Sequence, residues 1–347
     1  MSTIETVLQT VGSGKTLTFE LAEAFTLELM SGGVSEVQTA GVLAAIAVRG
    51  ETPDEIAGFA SAMRSHGITV QADLGAVDTC GTGGDGLNTF NISTAAAIVA
   101  AAAGVPIAKH GNRAATSKSG SADVLEALGV QVDSQPASAR ACLESCGICF
   151  LFARNYHPAM KYAAGPRKQL GFRTIFNVLG PLTNPAGVKR QVLGVYAERL
   201  VPIVAEALRQ LQSEHALVVH GQDGLDEFSL SGPTYVAELK HGTVQLYEIS
   251  PSDVGLNAAP VSTLAGGTAV ENASIVEAIL SGEQRGPTRD AVLFNAGAAL
   301  YVGGRASSIR EGVCLAADTI DCGRAQTTLK QLVRASRQTD FSEAVSH

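Results

Sequence analysis

Along residues 1 to about 66 apolar side chains recur at helical spacing, the pattern of helices that each bury one face. Phe19, Leu21, Ala22, Phe25, Leu27 and Leu29 predict a helix over 18–30. Val37, Ala40, Val42, Leu43, Ile46 and Ala47 give a second one, over 35–48, a wide apolar face. Thr52-Pro53-Asp54-Glu55 starts a third: Thr52 caps it, Pro53 sits in the first turn and Glu55 closes a capping box. His66-Gly67 ends it.

From about Val70 the pattern changes. Short β-rich runs at 76–79, 105–108, 148–153, 191–196 and 216–220 alternate with helical patterns at 94–103, 121–128, 137–145 and 200–212. Such alternation predicts a largely parallel sheet with covering helices. Runs at 234–238 and 242–249, joined by Lys240-His241-Gly242, read as an antiparallel hairpin on that sheet. Helices follow at 272–280, 290–302 and 309–321, and the tail from Arg337 is polar. The expected fold is α/β: a small all-helical N-terminal domain, 1–70, and a larger α/β domain, 71–347, with a mostly parallel central sheet surrounded by helices. The stretch 165–187 interrupts the alternation and is expected to return to the helical domain as a hinge.

Composition narrows the function classes. The 347 residues suffice for two domains, and 46% hydrophobic residues with 37 glycines suit a packed α/β enzyme with many turns, not a disordered chain. A net charge of -8 argues against general nucleic-acid binding. No apolar run reaches the length of a membrane span, and the start lacks the basic and apolar regions of a secretory signal. Six cysteines are too sparse for a disulfide framework, so a cytoplasmic protein with reduced thiols is expected.

Two motifs are set aside. Gly12-Ser13-Gly14-Lys15-Thr16 resembles the end of a P-loop, but Gln9 stands where the motif needs glycine and the preceding residues read as helix. It is read as a helix–helix turn. Cys142, Cys146 and Cys149 have the CxxxCxxC spacing of some iron–sulfur proteins, but they fall on a helix and the apolar strand after it, where buried thiols are ordinary.

Three other constellations carry chemistry. The loop Gly81-Thr82-Gly83-Gly84-Asp85-Gly86 follows a strand and precedes Asn91-Ile92-Ser93-Thr94 at a helix start. Strand, glycine loop and helix N-terminus form an anion site, with Asn91, Ser93 and Thr94 as cap-type groups. Asp85 repels phosphate and fits better beside sugar hydroxyls, an amine or metal-bound water. Next, Lys109-His110-Gly111-Asn112-Arg113 lies at a strand's C-terminal end, where α/β sheets bind ligands, and the hydroxyl-rich run to Ser121 can wrap a polyanion with Lys109 and Lys118 supplying charge. Last, Asp226-Glu227, placed at a sheet edge, can hold hard cations through oxygen.

On these residues the sequence resembles the anthranilate phosphoribosyltransferase family. GTGGDG at 81–86, NIST at 91–94, KHGNR at 109–113, SGSAD at 119–123, GPLTNPA at 180–186 and LDE at 225–227 stand in the family's order and spacing, across nearly the whole chain. Thr116 stands where relatives often have serine, which keeps the hydroxyl. The resemblance implies an active site in the cleft between the domains and a homodimer formed through the helical domain. It implies that Gly81, Gly84, Asp85, Thr89, Asn91, Ser93, Thr94, Lys109, His110, Gly111, Asn112, Arg113, Ala114, Ala115, Thr116, Ser117 and Ser121 surround phosphoribosyl pyrophosphate. Ser93, Asp226 and Glu227 would serve Mg²⁺, two ions per subunit, and Gly81, Asn112 and Arg167 would meet anthranilate. Lys109, Asn112 and Arg167 are the expected catalytic group, and His110, Tyr156, His157 and Met160 the approach for the aromatic substrate. Two other readings compete: a related pyrimidine nucleoside phosphorylase, which has no use for the acidic pair, and a non-catalytic nucleic-acid binder, which the charge disfavours.

Overall fold

The computed structural model describes residues 2–71, 75–114 and 118–338. Four helices open the chain: α1 (Thr3–Gly12), α2 (Phe19–Met30), α3 (Glu36–Arg49) and α4 (Pro53–His66). Each start is locked by a side chain. Ser2, Thr18, Ser35 and Thr52 accept from backbone N–H groups one turn in, and three of the four form capping boxes. Gly12 to Thr16 joins α1 to α2, as a turn and not a phosphate loop.

The second part runs β1 (Val77–Gly81), α5 (Ile92–Ala102), β2 (Ile107–Gly111), α6 (Ser121–Ala127), α7 (Pro136–Cys146), β3 (Ile148–Phe152), α8 (Ala153–Tyr156), α9 (Lys161–Leu170), α10 (Phe176–Leu179), β4 (Arg190–Gly194), α11 (Leu200–Gln210) and β5 (His215–Gly221). It closes with β6 (Thr234–Lys240), β7 (Thr243–Ile249), α12 (Ala269–Leu280), α13 (Pro287–Val302), α14 (Ile309–Asp321) and α15 (Arg324–Ser336). The sheet order is β3-β2-β1-β4-β5-β6-β7. The strands β1 to β5 pair in parallel; β6 and β7 add the expected antiparallel hairpin.

Both faces of this sheet are covered, which is why β5 is buried from end to end. Alternate residues divide between two cores. Val192, Leu217, Val219 and Val236 join the core under α5 and α13. Leu193, Val218, Ala237 and Leu239 join the other, which continues through α11 into the helical bundle. Thus α9 and α10, from the stretch that breaks the strand–helix alternation, pack on α2, α3 and α4.

The order β2-β1-β4 places a topological switch point between β1 and β4, because the chain winds away from it in both directions. Their C-terminal residues Gly81 and Gly194 are paired neighbours. Two expectations need correction. The acidic pair does not follow an edge strand, since β5 is flanked by β4 and β6. A further helix, α15, follows where no element was expected. His66-Gly67 ends α4 as expected, with Gly67 in an extended conformation.

Candidate active site

Positive φ values of 65°, 79° and 80° at Gly83, Gly84 and Gly86 curl the loop after β1, a path that side chains resist. The loop is pinned on three sides. Thr82 N donates to Gly194 O at 2.9 Å. Gly83 N donates to Asp226 Oδ2 at 2.8 Å. Arg173 Nη2 donates to Gly84 O while its guanidinium stacks 4.3 Å from the Tyr196 ring. Asp85 is partly spent on the loop itself, accepting from Leu87 N at 3.1 Å.

The backbone of Asp226 lies directly over Gly194, so a β-carbon there would collide with Asp226 O and its carbonyl carbon. Absence of a side chain at this strand end lets the acidic pair reach the switch point. Glu227 Oε1 accepts from Ser93 N at 3.1 Å, in the first turn of α5. Lys109, only 3% exposed, stands on the α5 face of β2 and donates to Thr79 O and, at 3.4 Å, to Ser93 Oγ. Asp85, Ser93, Lys109, Asp226 and Glu227 thereby meet over the ends of β1 and β2.

Burial, then the nearby charge of Asp85, raises the Asp226 carboxyl well above its usual range. Burial and Asp226 raise Glu227 in the same way, against the pull of Lys109. Two sequestered carboxylates that repel each other are short of positive charge. Among the described residues no three metal-type side chains converge to hold an ion alone. A hard divalent cation that takes one or two carboxylates and completes its shell with water and substrate phosphate fits such a pair.

Behind Lys109, the buried carboxyl of Asp78 accepts from His110 N at 3.1 Å and Asn184 Nδ2 at 2.8 Å. The GPLTNPA segment is thus a buttress. Asn184 also donates to Ala108 O at 2.8 Å, and Gln191 Nε2 donates to Pro181 O at 2.7 Å.

Arg167 leaves α9 half-buried, its guanidinium 5.3 Å from the centre of the Phe176 ring. It donates no side-chain hydrogen bond among the described residues, and burial lowers its pKa. It is a cation held ready for an anionic partner.

Most of the other expected site residues make contacts within the chain. The Arg113 guanidinium pairs with Glu126 at 2.6 Å and Asp123 at 2.9 Å, and so braces α6. His110 sits on the opposite face of β2 from Lys109; its Nδ1 meets Gly180 O at 3.0 Å and its ring lies 5.4 Å from that of His157. Tyr156 is buried among Cys142, Cys149 and Leu151. Asn91 occupies the N-cap position of α5 but makes no side-chain cap bond. Thr94 Oγ1 is buried without a partner among the described residues. Asn112 caps its own turn through Arg113 N at 2.8 Å, and Ser121 Oγ donates to Asn112 O at 3.3 Å. Ala114 N donates to Asp123 Oδ2 at 3.0 Å, and Thr89 bridges to Ala265. Ala115, Thr116 and Ser117 lie outside the described residues. Arg173, Gly194 and Asp78 escaped the sequence reading; Arg173, six residues after Arg167, was the one with a visible signal, a cation in the hinge stretch.

A helical bundle beside a parallel sheet, with phosphate-type loops at the switch point, defines a class. The helical-bundle model of the glycosyl transferase family matches residues 5–67, and that family's α/β-domain model matches residues 73–326. Among curated relatives, the anthranilate phosphoribosyltransferase of Rubrobacter xylanophilus is 53% identical, covering 95% of this chain and 97% of its own. The crystal structure of anthranilate phosphoribosyltransferase from Thermus thermophilus superposes with a TM-score of 0.91 at 45% identity, covering 97% of this chain and 100% of that one. The enzyme of Saccharomyces cerevisiae in complex with PRPP and Mg superposes at 0.87 with 30% identity, covering 96% and 98%. The chain belongs to the glycosyl transferase family and, within it, to the anthranilate phosphoribosyltransferases.

Proposed function

We infer that the chain transfers the phosphoribosyl group of 5-phosphoribosyl 1-pyrophosphate to the amine of anthranilate, giving N-(5-phosphoribosyl)anthranilate and pyrophosphate, a step of tryptophan biosynthesis. The observation that carries the reading is the convergence of the glycine loop, Lys109 and the buried pair Asp226 and Glu227 at one switch point. Gly81 to Thr94 and Lys109 to Ser121 are assigned to the donor. Arg167, with Asn112 and Gly81, is assigned to anthranilate, whose carboxylate a guanidinium pairs with in two parallel hydrogen bonds.

Asp226, Glu227 and Ser93 would hold Mg²⁺, read as two ions per subunit. Bound there, Mg²⁺ supplies positive charge to the pyrophosphate oxygens as they gain negative charge. In the reaction the bond from ribose C1 to pyrophosphate breaks while the amine nitrogen forms its bond to C1 from the opposite face. The sugar carries oxocarbenium character between the two. Lys109 stabilises the departing charge, and loop N–H groups add donors fixed before the reaction begins. Arg167 holds the acceptor so that the amine faces C1. Anthranilate nitrogen is weakly basic and sheds its proton once bonded, so no dedicated base is assigned.

The domain division is read as 1–70 with 165–187 against 71–347, supported by the packing of α9 on α2 and α3. A homodimer through the helical domain is supported by Val37 and Val48, which stand 83% and 88% exposed on α3. A cytoplasmic location fits six unpaired cysteines. Among the described residues no helix is long and apolar enough to cross a membrane. Incubation with anthranilate, phosphoribosyl pyrophosphate and Mg²⁺, followed by anthranilate fluorescence, tests the activity. A signal that falls only with all three present is expected; a constant signal rejects the reading.

A further inference from the structure

The stretch 264–272 lies outside the site described above, yet it grips the donor loop. Phe90 N donates to Leu264 O at 3.0 Å, and Gly266 N donates to Asn88 O at 2.9 Å. Between these bonds Thr89 and Ala265 form an antiparallel bridge. The two backbones are so close that a β-carbon on Gly266 would stand 2.7 Å from Phe90 N and 2.8 Å from Phe90 Cα. Backbone atoms cannot swing aside as a flexible side chain can, so glycine is needed here.

This strap enters α12 through its Thr268 cap and carries Asn272, 1% exposed, to the loop. A buried amide must satisfy both of its ends. Asn272 Oδ1 accepts from Gly267 N at 2.7 Å, which fixes the orientation of the group. Its Nδ2 then donates to Asn91 Oδ1 at 2.9 Å. Asn91 in turn donates from Nδ2 to Ser119 O at 3.3 Å. One relay therefore runs from α12 through the loop after β1 to the loop after β2. It also accounts for the missing cap bond of Asn91, whose amide is used sideways.

We propose that Asn272 is a positioning residue for the donor: it sets the amide orientation of Asn91 and the spacing of the two donor loops, with the Gly266 contact holding the backbone beside it. The inference rests on the assignment of Gly81–Thr94 and Lys109–Ser121 to phosphoribosyl pyrophosphate. Asn272 acts through Asn91 and touches no reacting atom. The relay ends in the donor loops and does not reach Arg167, the charged anchor assigned to the acceptor, so its loss falls mainly on the donor.

The test is steady-state kinetics with both substrates varied, for the wild type, Asn272→Ala, Asn272→Leu, Asn91→Ala and the double variant Asn91→Ala/Asn272→Ala. Asn272→Leu keeps the branching and heavy-atom count of the side chain, at somewhat greater bulk, so it removes the hydrogen bonds without the cavity that Asn272→Ala opens. Both Asn272 variants are expected to raise KM for phosphoribosyl pyrophosphate about fivefold to tenfold, the worth of one or two hydrogen bonds, with KM for anthranilate within about twofold. In the Asn91→Ala background, Asn272→Ala is expected to add little, because the two residues act as one unit. Equal rises in both KM values, fully additive effects, or an unchanged donor KM in Asn272→Leu would each overturn the proposal. A wild type without turnover would instead reject the transferase reading itself.

Discussion

At the scale of single residues the site is a balance of buried charge. Lys109 is an ammonium whose charge acts on both Asp78 and Glu227, while the charge beside Asp226 is that of Asp85. Asp226→Ala/Glu227→Ala is therefore expected to abolish the Mg²⁺ dependence of turnover along with most of the activity. Mg²⁺ titration of the initial rate checks it, and an unchanged Mg²⁺ midpoint would remove the metal assignment. Arg167 makes a sharper case, since its guanidinium is half-buried, stacked on Phe176 and without a hydrogen-bond acceptor among the described residues. Charged hydrogen bonds contribute about 1.5–3 kcal/mol each, so Arg167→Ala should raise KM for anthranilate about tenfold to a hundredfold. Donor KM should change far less, and equal effects on the two substrates would sink the role. The acidic pair was legible in the sequence as adjacent charge after a glycine-bounded turn, whereas Arg167 was expected only from the family resemblance. The commitment of Arg113 to Glu126 and Asp123 was not legible, because it depends on the direction of one helix turn.

At the scale of elements, two buried joints set where the site stands. Gly194 ends β4 beneath the backbone of Asp226. Gly194→Ala would push the acidic pair off the switch point or distort the paired strand ends, so loss of nearly all activity is expected even where soluble protein is recovered. Circular dichroism beside the rate measurement separates the two outcomes. In the helical domain, fully buried Glu55 accepts from Leu17 N at 2.9 Å, Thr52 N at 3.0 Å and Arg49 Nη2 at 2.5 Å, tying the α3 end, the α4 start and the turn before α2. Glu55→Ala leaves those donors unmatched and should cost about 2–4 kcal/mol in urea denaturation, reduced where the partly exposed Arg49 can reach water. A loss under 1 kcal/mol would show that water replaces the carboxylate without cost. The capping box at Thr52 announced this helix in the sequence, but the cross-helix partners did not appear there. Conversely α15 was readable in principle from Ala325, Leu329 and Leu332 at helical spacing, yet polar residues dominate it and blur the stripe.

At the scale of the whole molecule, the pattern of periods disclosed the order of helices and strands, while the shared core did not show. Leu193 and Val192 look alike in sequence, but one faces the helical bundle's core and the other the core under α5. The sheet order was hidden for the same reason, because pairing is a long-range choice among strands of similar composition. One consequence of joining these parts is a pair of buried titratable groups behind the site, His110 and Asp78, linked through the His110 backbone. Burial first, then His157 beside it, lowers His110 from 6.5 to about 3. The unfolded chain therefore takes up this proton near pH 6.5 and the folded chain does not, so acidification through pH 6.5 toward 3 costs stability. Burial holds Asp78 up at about 6 against the pull of Lys109, so the folded chain takes up that proton before the unfolded one, whose carboxyl titrates near 3.8. Between pH 6 and 4 its contribution has the opposite sign and rises on acidification. The two slopes, each at most about 1.4 kcal/mol per pH unit, oppose each other in the wild type. His110→Gln should then make the protein gain stability relative to wild type as pH falls from 6 to 4.5, and Asp78→Asn should make it lose stability over the same interval. Urea denaturation midpoints at the two pH values decide it; parallel shifts in both variants would mean that neither group changes its proton on unfolding.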